Sequence, residues 1–289
     1  MEYAIITTAK NEASYIGKTL ESVTTQTLLP VQWIIIDDKS SDNTKQIIQD
    51  YCTLHNWITL LTTDDIDISF KTTGGRVPKL FNIALDYIKH NPEFIIKLDA
   101  DLSFDSSFIS DLINKFNENP KLGIASGTLV FDGVVEKVNY QQQSTRGAVM
   151  IIKKEILDKT NGLFVSKGRG SDRLLSTAAH YFGWQTFSYP IYFNHLKPEG
   201  IKGGNIKNHW IHGFYKGSIP YRFSYFLISQ IKHLRKKPYI LGSLFQLCGY
   251  IFTRWIIIYR PFPPYIKKQV YKEQYEIMRS VFKKIKKNY

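Results

Sequence analysis

Cysteine is nearly missing from these 289 residues, which hold only Cys52 and Cys248. Two thiols build neither a disulfide framework nor a zinc cluster, and they suit a reducing compartment. The sequence also lacks a basic leader. Met1-Glu2-Tyr3 runs straight into an apolar segment, so a secreted product is not expected. No internal repeat and no low-complexity tract is present. The apolar stretch 238–253 has 16 residues without a charge and is then broken by Arg254. A spanning helix wants ~20 apolar residues, so this stretch reads as an interfacial or re-entrant helix. What is present is ordinary for a globular chain with a sizeable core: 43% apolar and 22% charged residues.

Acidic residues are scarce in one place. Residues 216–289 hold 16 Lys and Arg against Glu273 and Glu276, a local balance of +14 within a net charge of +13. The first 215 residues are close to neutral. A neutral body with a basic, aromatic end points to a partner rich in phosphate, either a membrane surface or nucleic acid. Lys and Arg that alternate with rings suit a lipid headgroup layer.

The first 100 residues alternate short β-rich runs with helical patterns. Strands are predicted at 3–9, 31–36, 57–61 and 94–98. Helices are predicted at 14–25 behind a Ser cap, at 44–54 and at 78–90. This rhythm argues for an α/β, doubly wound, mostly parallel sheet flanked by helices. Ligands of such sheets bind beyond the carboxyl ends of strands, near a switch point. Further on, a helix is predicted at 106–116, strands at 122–131, 148–152 and 186–192, and a helix at 171–182. The domain division expected is 1–215 for the body and 216–289 for a basic helical extension.

Strand ends supply the acidic groups. Asp99-Ala100-Asp101 can bring two carboxylates to one hard cation, Mg²⁺ or Mn²⁺, or can cap the helix that follows. Asp37-Asp38 can accept a nucleobase N–H or a ribose hydroxyl, or can serve turn and cap chemistry before Ser41-Asp42-Asn43-Thr44.

The joint order of Thr7-Thr8-Ala9-Lys10-Asn11-Glu12, Asp37-Asp38-Lys39-Ser40-Ser41-Asp42 and Asp99-Ala100-Asp101 resembles the inverting family 2 glycosyltransferases of the GT-A (Rossmann-like) fold. These carry an N-E pair after the first strand, D-D-x-S-x-D after the second and D-x-D after the fourth. The segments Thr145-Arg146-Gly147 and Asn161-Gly162-Leu163-Phe164, and Gly170-Ser171-Asp172, follow the same course, and the resemblance covers about two-thirds of the chain. It implies that Asp37 or Asp38 holds the base, with Thr7, Ala9 and Glu12 lining the nucleoside pocket. It implies that Asp99 meets ribose or metal and that Asp101 binds the cation on the diphosphate. Asp172 falls where the family places its general base, although Ser171 stands where Glu is usual. His195 is a candidate third metal ligand or a structural histidine. Gly74-Gly75-Arg76 and Lys79 are candidates for the diphosphate or for a solvated loop, Arg173 for phosphate or a helix cap, and His209 with His212 for a weaker metal pair. Tyr140-Gln141-Gln142-Gln143 is a candidate acceptor loop or a plain polar one. The Q-x-x-R-W signature of similar processive synthases is absent, which favours addition of one sugar or few.

The activity implied is metal-dependent, inverting transfer from a nucleotide-sugar, a UDP-sugar favoured, to a saccharide or lipid-linked saccharide in polysaccharide or glycolipid synthesis. The place implied is the cytoplasmic face of the cell membrane, held peripherally on anionic lipid by 216–289, with no nucleic acid partner expected. Two other readings stand beside it. A nucleotidyltransferase on a related sheet would be favoured by a Gly-rich phosphate loop after the first strand, where Lys10-Asn11-Glu12 stands instead. A non-enzymatic membrane- or nucleic-acid-binding protein would use the tail alone and would not need the three acidic groups Asp37-Asp38, Asp99/Asp101 and Asp172.

Overall fold

Near-continuous apolar runs such as Ile34-Ile35-Ile36 and Phe94-Ile95-Ile96 need cover on both faces, and they form the middle of a sheet. The structure is a computed structural model that describes residues 1–64, 75–140, 143–166, 170–197, 206–233, 239–256 and 262–287. Gly74, Gln141, Gln142, the basic cluster 234–237 and the apolar residues 257–259 lie outside the described residues. Contacts divide the chain into two compact units: all strands with α1–α5 form one, and α6–α10 form the other. Helices α6 and α7 thus group with the basic end, a division unlike the expected one at 215/216.

In the first unit β1 (Tyr3–Ala9), β2 (Gln32–Asp37), β3 (Ile58–Thr62) and β4 (Phe94–Leu98) lie in the order β3-β2-β1-β4, all parallel. The crossovers are α1 (Ile16–Thr24), α2 (Thr44–Leu54) and α3 (Arg76–Leu85). The order reverses between β1 and β4, so the carboxyl ends of those strands flank the switch point. Beyond β4 the sheet departs from the mostly parallel expectation. β8 (Val149–Lys153) is antiparallel to β4 and to β6 (Leu122–Phe131), and β9 (Gln185–His195) is parallel to β6. β5 (Leu102–Phe104) pairs antiparallel with β9, and β7 (Val134–Val135) folds back on β6. α4 (Phe108–Glu118) packs on β6 and β9, and α5 (Lys154–Thr160) follows β8.

Two helix limits differ from the sequence pattern. α1 starts at Ile16 rather than at a Ser14 cap, because Glu12 O already accepts the amides of Tyr15 and Ile16. α3 stops at Leu85 rather than at 90. There Asp86 and Tyr87 donate to carbonyls three residues back, and the tightened turn cannot continue the α-helix.

The second unit comprises α6 (Ser171–Tyr181), α7 (Ile206–Ser218), α8 (Phe223–His233), α9 (Tyr239–Ile251), a π-helical turn at Phe252–Ile256 and α10 (Pro264–Lys287). α7 and α9 approach backbone to backbone. A Cβ on Gly213 would fall on the Gln246 carbonyl, and one on Gly249 would fall on that of Trp210. His209 accepts from Gln246 Nε2 at 3.0 Å across the same pair of helices, so its ring nitrogen serves packing and not the metal pair considered with His212. Among the described residues no helix is long and apolar enough to cross a membrane.

Candidate functional site

The loops after β1 and β2 are stitched together by side chains. Asn11 Oδ1 accepts Ser41 N–H at 2.7 Å, Ser40 Oγ accepts Asn11 N–H at 2.9 Å, and Thr44 Oγ1 accepts Glu12 N–H at 2.8 Å. Asp42 takes the amides of Ala13 and Thr44, at 3.1 Å each. The Thr44 hydroxyl hydrogen bond and these amides hold the Asp42 carboxyl below its ordinary range despite some burial. Asn11 and Lys39 both have φ of 55°, the left-handed region, where each chain turns out of its strand. The N-E and S-x-D parts of the motif therefore tie the loop after β1 to the loop after β2.

Asp37 and Asp38 divide their work. Both are buried at the end of β2. Arg76 grips Asp38 with Nε and Nη2, one nitrogen to each carboxylate oxygen, and Lys10 Nζ lies 3.8 Å away. Arg76, a diphosphate candidate by sequence, is thus committed to a carboxylate. Asp37 Oδ2 accepts Ser40 N–H at 3.2 Å, while Asp37 Oδ1 is buried with no partner, as is the nearby Thr63 Oγ1. Thr63 is brought there by its amide, which donates to Asp37 O at 3.1 Å.

A second group forms where β5 meets β9. Their register sets Leu102 opposite His195, which brings the imidazole beside Asp101. His195 Nε2 stands 3.8 Å from Asp101 Oδ1. His195 Nδ1 lies 2.7 Å from Lys197 O, and a carbonyl only accepts, so Nδ1 donates that bond and Nε2 is the ring nitrogen that faces Asp101. Burial pushes the Asp101 carboxyl above its ordinary range; His195 opposes that, and Asp99 and Glu12 add to it. Glu12 lies in this group: Oε1 accepts Lys197 Nζ at 2.6 Å and Oε2 is buried without a partner. That bond raises the Lys197 ammonium, against burial, and the Glu12 and Asp101 charges reinforce it. Asp99 is half-buried, and Lys97 Nζ, buried in β4, donates to its Oδ1 at 2.8 Å.

This donor set fits a small hard cation. Among the described residues no cluster of three or more His, Cys, Asp or Glu forms an all-protein cage. Mg²⁺ and Mn²⁺ sites on nucleotides do not need one, since phosphate and water fill the remaining positions. Asp101 and His195 supply two donors, and the buried, raised carboxyl is a group that a cation would relieve.

The other sequence candidates fall as follows. The Thr7 hydroxyl is fully buried and accepts Trp33 Nε1–H at 3.0 Å, which ties β1 to β2 within the core. Ala9 is buried at the end of β1, where its carbonyl accepts Asp38 N–H at 2.8 Å. Lys79 is half-buried on α3. Asn161 and Gly162 form a left-handed turn after α5, and Asn82 on α3 bonds the Leu163 amide and carbonyl at 2.7 and 2.9 Å. Arg146 pairs with Glu136, and Tyr140 Oη lies 3.1 Å from Thr128 Oγ1. Asp172 occupies the first turn of α6 in the second unit, and Arg173 lies over the Tyr221 ring at 5.9 Å. Sequence reasoning missed Lys97 and Lys197. Lys97 was readable as a charge inside an apolar strand, whereas Lys197 gains meaning only from the β5–β9 pairing.

The family model described as glycosyl transferase family 2 matches residues 4–178. The poly-beta-1,6-N-acetyl-D-glucosamine synthase of Staphylococcus epidermidis is 32% identical over 117 residues, 40% of this chain and 26% of that protein. The chain thus matches about a quarter of that relative's length. The fold is similar to S. aureus TarS 1–349 in complex with UDP-GlcNAc, with TM-score 0.60, 15% identity, and 88% of this chain and 81% of that one covered. It is similar also to the mannosyltransferase PcManGT from Pyrobaculum calidifontis in complex with GDP-Man and Mn²⁺, with TM-score 0.57, 15% identity, and 95% and 69% covered.

Proposed function

This chain belongs to glycosyl transferase family 2, and on that premise we propose that it moves a sugar from a nucleotide-sugar, a UDP-sugar favoured, to a saccharide or lipid-linked saccharide with inversion. The observation that carries this reading is the pair Asp101 and His195. Asp101, just past the end of β4, is buried, His195 at the end of β9 is half-buried, and His195 Nε2 faces the carboxylate at 3.8 Å. Support for the donor class comes from relatives: one forms a poly-N-acetylglucosamine and one fold neighbour holds UDP-GlcNAc. Another fold neighbour holds Mn²⁺ with its nucleotide-sugar, which supports a divalent cation here.

The chain's own residues take these roles. Asp37 Oδ1 accepts the nucleobase N–H, an acceptor that Asp38 lacks because Arg76 occupies it. Asp101 and His195 hold Mg²⁺ or Mn²⁺, which when bound neutralises charge on the departing diphosphate. Lys197 and Glu12 sit in the same group, so the lysine is placed to follow a phosphate oxygen as charge builds. Lys97 holds Asp99 in one rotamer toward the ribose side. Asp172 takes the proton of the acceptor hydroxyl, an assignment that rests on the order of motifs. General-base help of this kind supplies about 10²–10⁴-fold. A single displacement needs no glycosyl-enzyme nucleophile, in contrast with retaining hydrolases. Residues 216–289 would hold the enzyme on an anionic membrane surface, supported by their balance of +14.

Calorimetric titration of UDP, GDP and dTDP, with Mn²⁺ and then with chelator, tests the reading. Micromolar binding of one diphosphate that vanishes with chelator is expected. Binding of none of the three removes the donor assignment.

A further inference from the structure

We propose that the second unit carries a seat for the phosphate of an anionic glycerophospholipid, built by Arg222 and Arg254 around Tyr271 in a cavity of about 400 Å³. The proposal rests on the reading of 216–289 as membrane-facing and is independent of which nucleotide the first unit binds.

Three cations gather on one ring. The Arg222 guanidinium lies over Tyr271 at 5.6 Å, Lys267 Nζ lies over it at 5.8 Å, and Arg254 Nη2 donates to its hydroxyl at 3.0 Å. No acidic side chain lines the cavity, and among the described residues no carboxylate pairs with Arg222. Glu273, on the same helix as Tyr271, is committed to His180 at 2.8 Å. The framework is fixed independently of any ligand. The Arg222 amide donates to Gln274 Oε1 at 2.9 Å, and the Tyr250 hydroxyl, below the cavity, donates to Tyr221 O at 2.6 Å. Arg222 lies over the Tyr271 face and Arg254 is held at its hydroxyl and near Ile219 O, and two planar guanidinium groups on one cavity match a phosphate, which offers several acceptor oxygens and the opposite charge.

The surroundings decide the source of that phosphate. Phe223 and Trp255 line the same cavity and are 40% and 64% exposed. Phe223, Leu227 and Ile231 are exposed at i, i+4 and i+8, on one face of α8. On α9, Ile240, Leu241 and Leu244 are exposed as well. A soluble phosphate gives these side chains nothing to bury against. A phospholipid headgroup does: its phosphate enters the seat while Trp255 and the α8 face enter the interfacial layer. The charge of the unit attracts an anionic leaflet before any such contact forms.

The test uses the full chain and co-sedimentation with vesicles of phosphatidylcholine alone and of phosphatidylcholine mixed with phosphatidylglycerol. Binding to the mixed vesicles is expected, and the double variant Arg222→Gln/Arg254→Gln should weaken it on the order of tenfold or more. A charge-matched control, Lys268→Gln/Lys272→Gln, should weaken it several-fold less. Helical circular dichroism and its thermal melt check that each variant folds, and Trp255→Ser gives a second reading with no change of charge. Equal losses in the two double variants would show diffuse attraction and overturn the seat while leaving the membrane reading intact. Displacement from vesicles by millimolar inorganic phosphate at constant ionic strength would overturn the lipid as its occupant. Absence of vesicle binding would overturn both, with the donor titration unaffected.

Discussion

Arg76 takes both carboxylate oxygens of Asp38, and this leaves its neighbour Asp37 as the carboxylate with a buried, open acceptor at the end of β2. Two adjacent, chemically identical residues thus acquire different roles from one guanidinium on α3. An unpartnered charged oxygen in a buried place is costly, and a donor N–H from a nucleobase would satisfy it.

Asp37→Asn and Asp38→Asn should therefore separate. A hydrogen bond to a charged acceptor contributes about 1.5–3 kcal/mol, so Asp37→Asn is expected to weaken diphosphate binding by roughly 10–100-fold. Asp38→Asn should instead show in thermal melting, because it leaves Arg76 without its clamp. Equal effects of the two changes on affinity would sink the division.

His195→Gln should abolish the difference between UDP titrations in Mn²⁺ and in chelator, while uridine, which has no phosphate, binds the variant and the parent alike. Persistence of the full Mn²⁺ effect in His195→Gln would remove His195 from the ligand set. The imidazole is placed by the β5–β9 register and by Lys197 O, so the loss follows from the ring and not from a disturbed strand.

Much of this was legible in the sequence because it is local. Strands 3–9, 94–98 and 122–131 and helix 44–54 match the structure to the residue, since apolar runs and their breakers fix them without long-range help. β5 was missed: Leu102-Ser103-Phe104 is too short to show a period, and it is a strand only because β9 lies beside it. The mixed second half of the sheet was missed for the same reason, since pairing direction is not written in a strand's own residues. At the site, the acidic strand ends announced themselves, but the Arg76 clamp, the Lys197–Glu12 bond and the fate of Thr7 depend on partners 38, 185 and 26 positions away.

Asp172→Asn should retain diphosphate binding and lose transfer by about 10²–10⁴-fold, the range of general-base help. Single-turnover transfer from bound donor is the measurement. Near-normal transfer by Asp172→Asn would return the base role to another group.

Gly213→Ala should destabilise the second unit by about 1–3 kcal/mol. The added Cβ meets the Gln246 carbonyl, a backbone atom that cannot rotate away, so α7 and α9 must part. Gly17→Ala in α1 is the control for space: nothing lies within 4 Å of its Cβ and its backbone is helical. Equal shifts in melting temperature for the two would mean that α7 and α9 do not depend on close approach.

Acid should loosen the attachment of α10 to α6. Burial pushes the Glu273 carboxyl up, but the His180 hydrogen bond and charge, with Gln269 and Thr177, outweigh it and hold the group below the ordinary glutamate range. The stacked rings of Tyr181 and Tyr265, 4.7 Å apart, share the contact. Between the ordinary value and the lowered one the unfolded chain binds more protons, so stability there rises with pH. The contribution is complete above the ordinary glutamate value and is lost as pH falls through the folded value. Glu273→Gln lacks this dependence, so parent and variant should differ by about 0.5–1.5 kcal/mol near neutrality and converge in acid. Melting curves of both proteins across the acid range check it. A gap that widens as pH falls would mean that Glu273 is held neutral, and that the pairing with His180 is not what fastens α10.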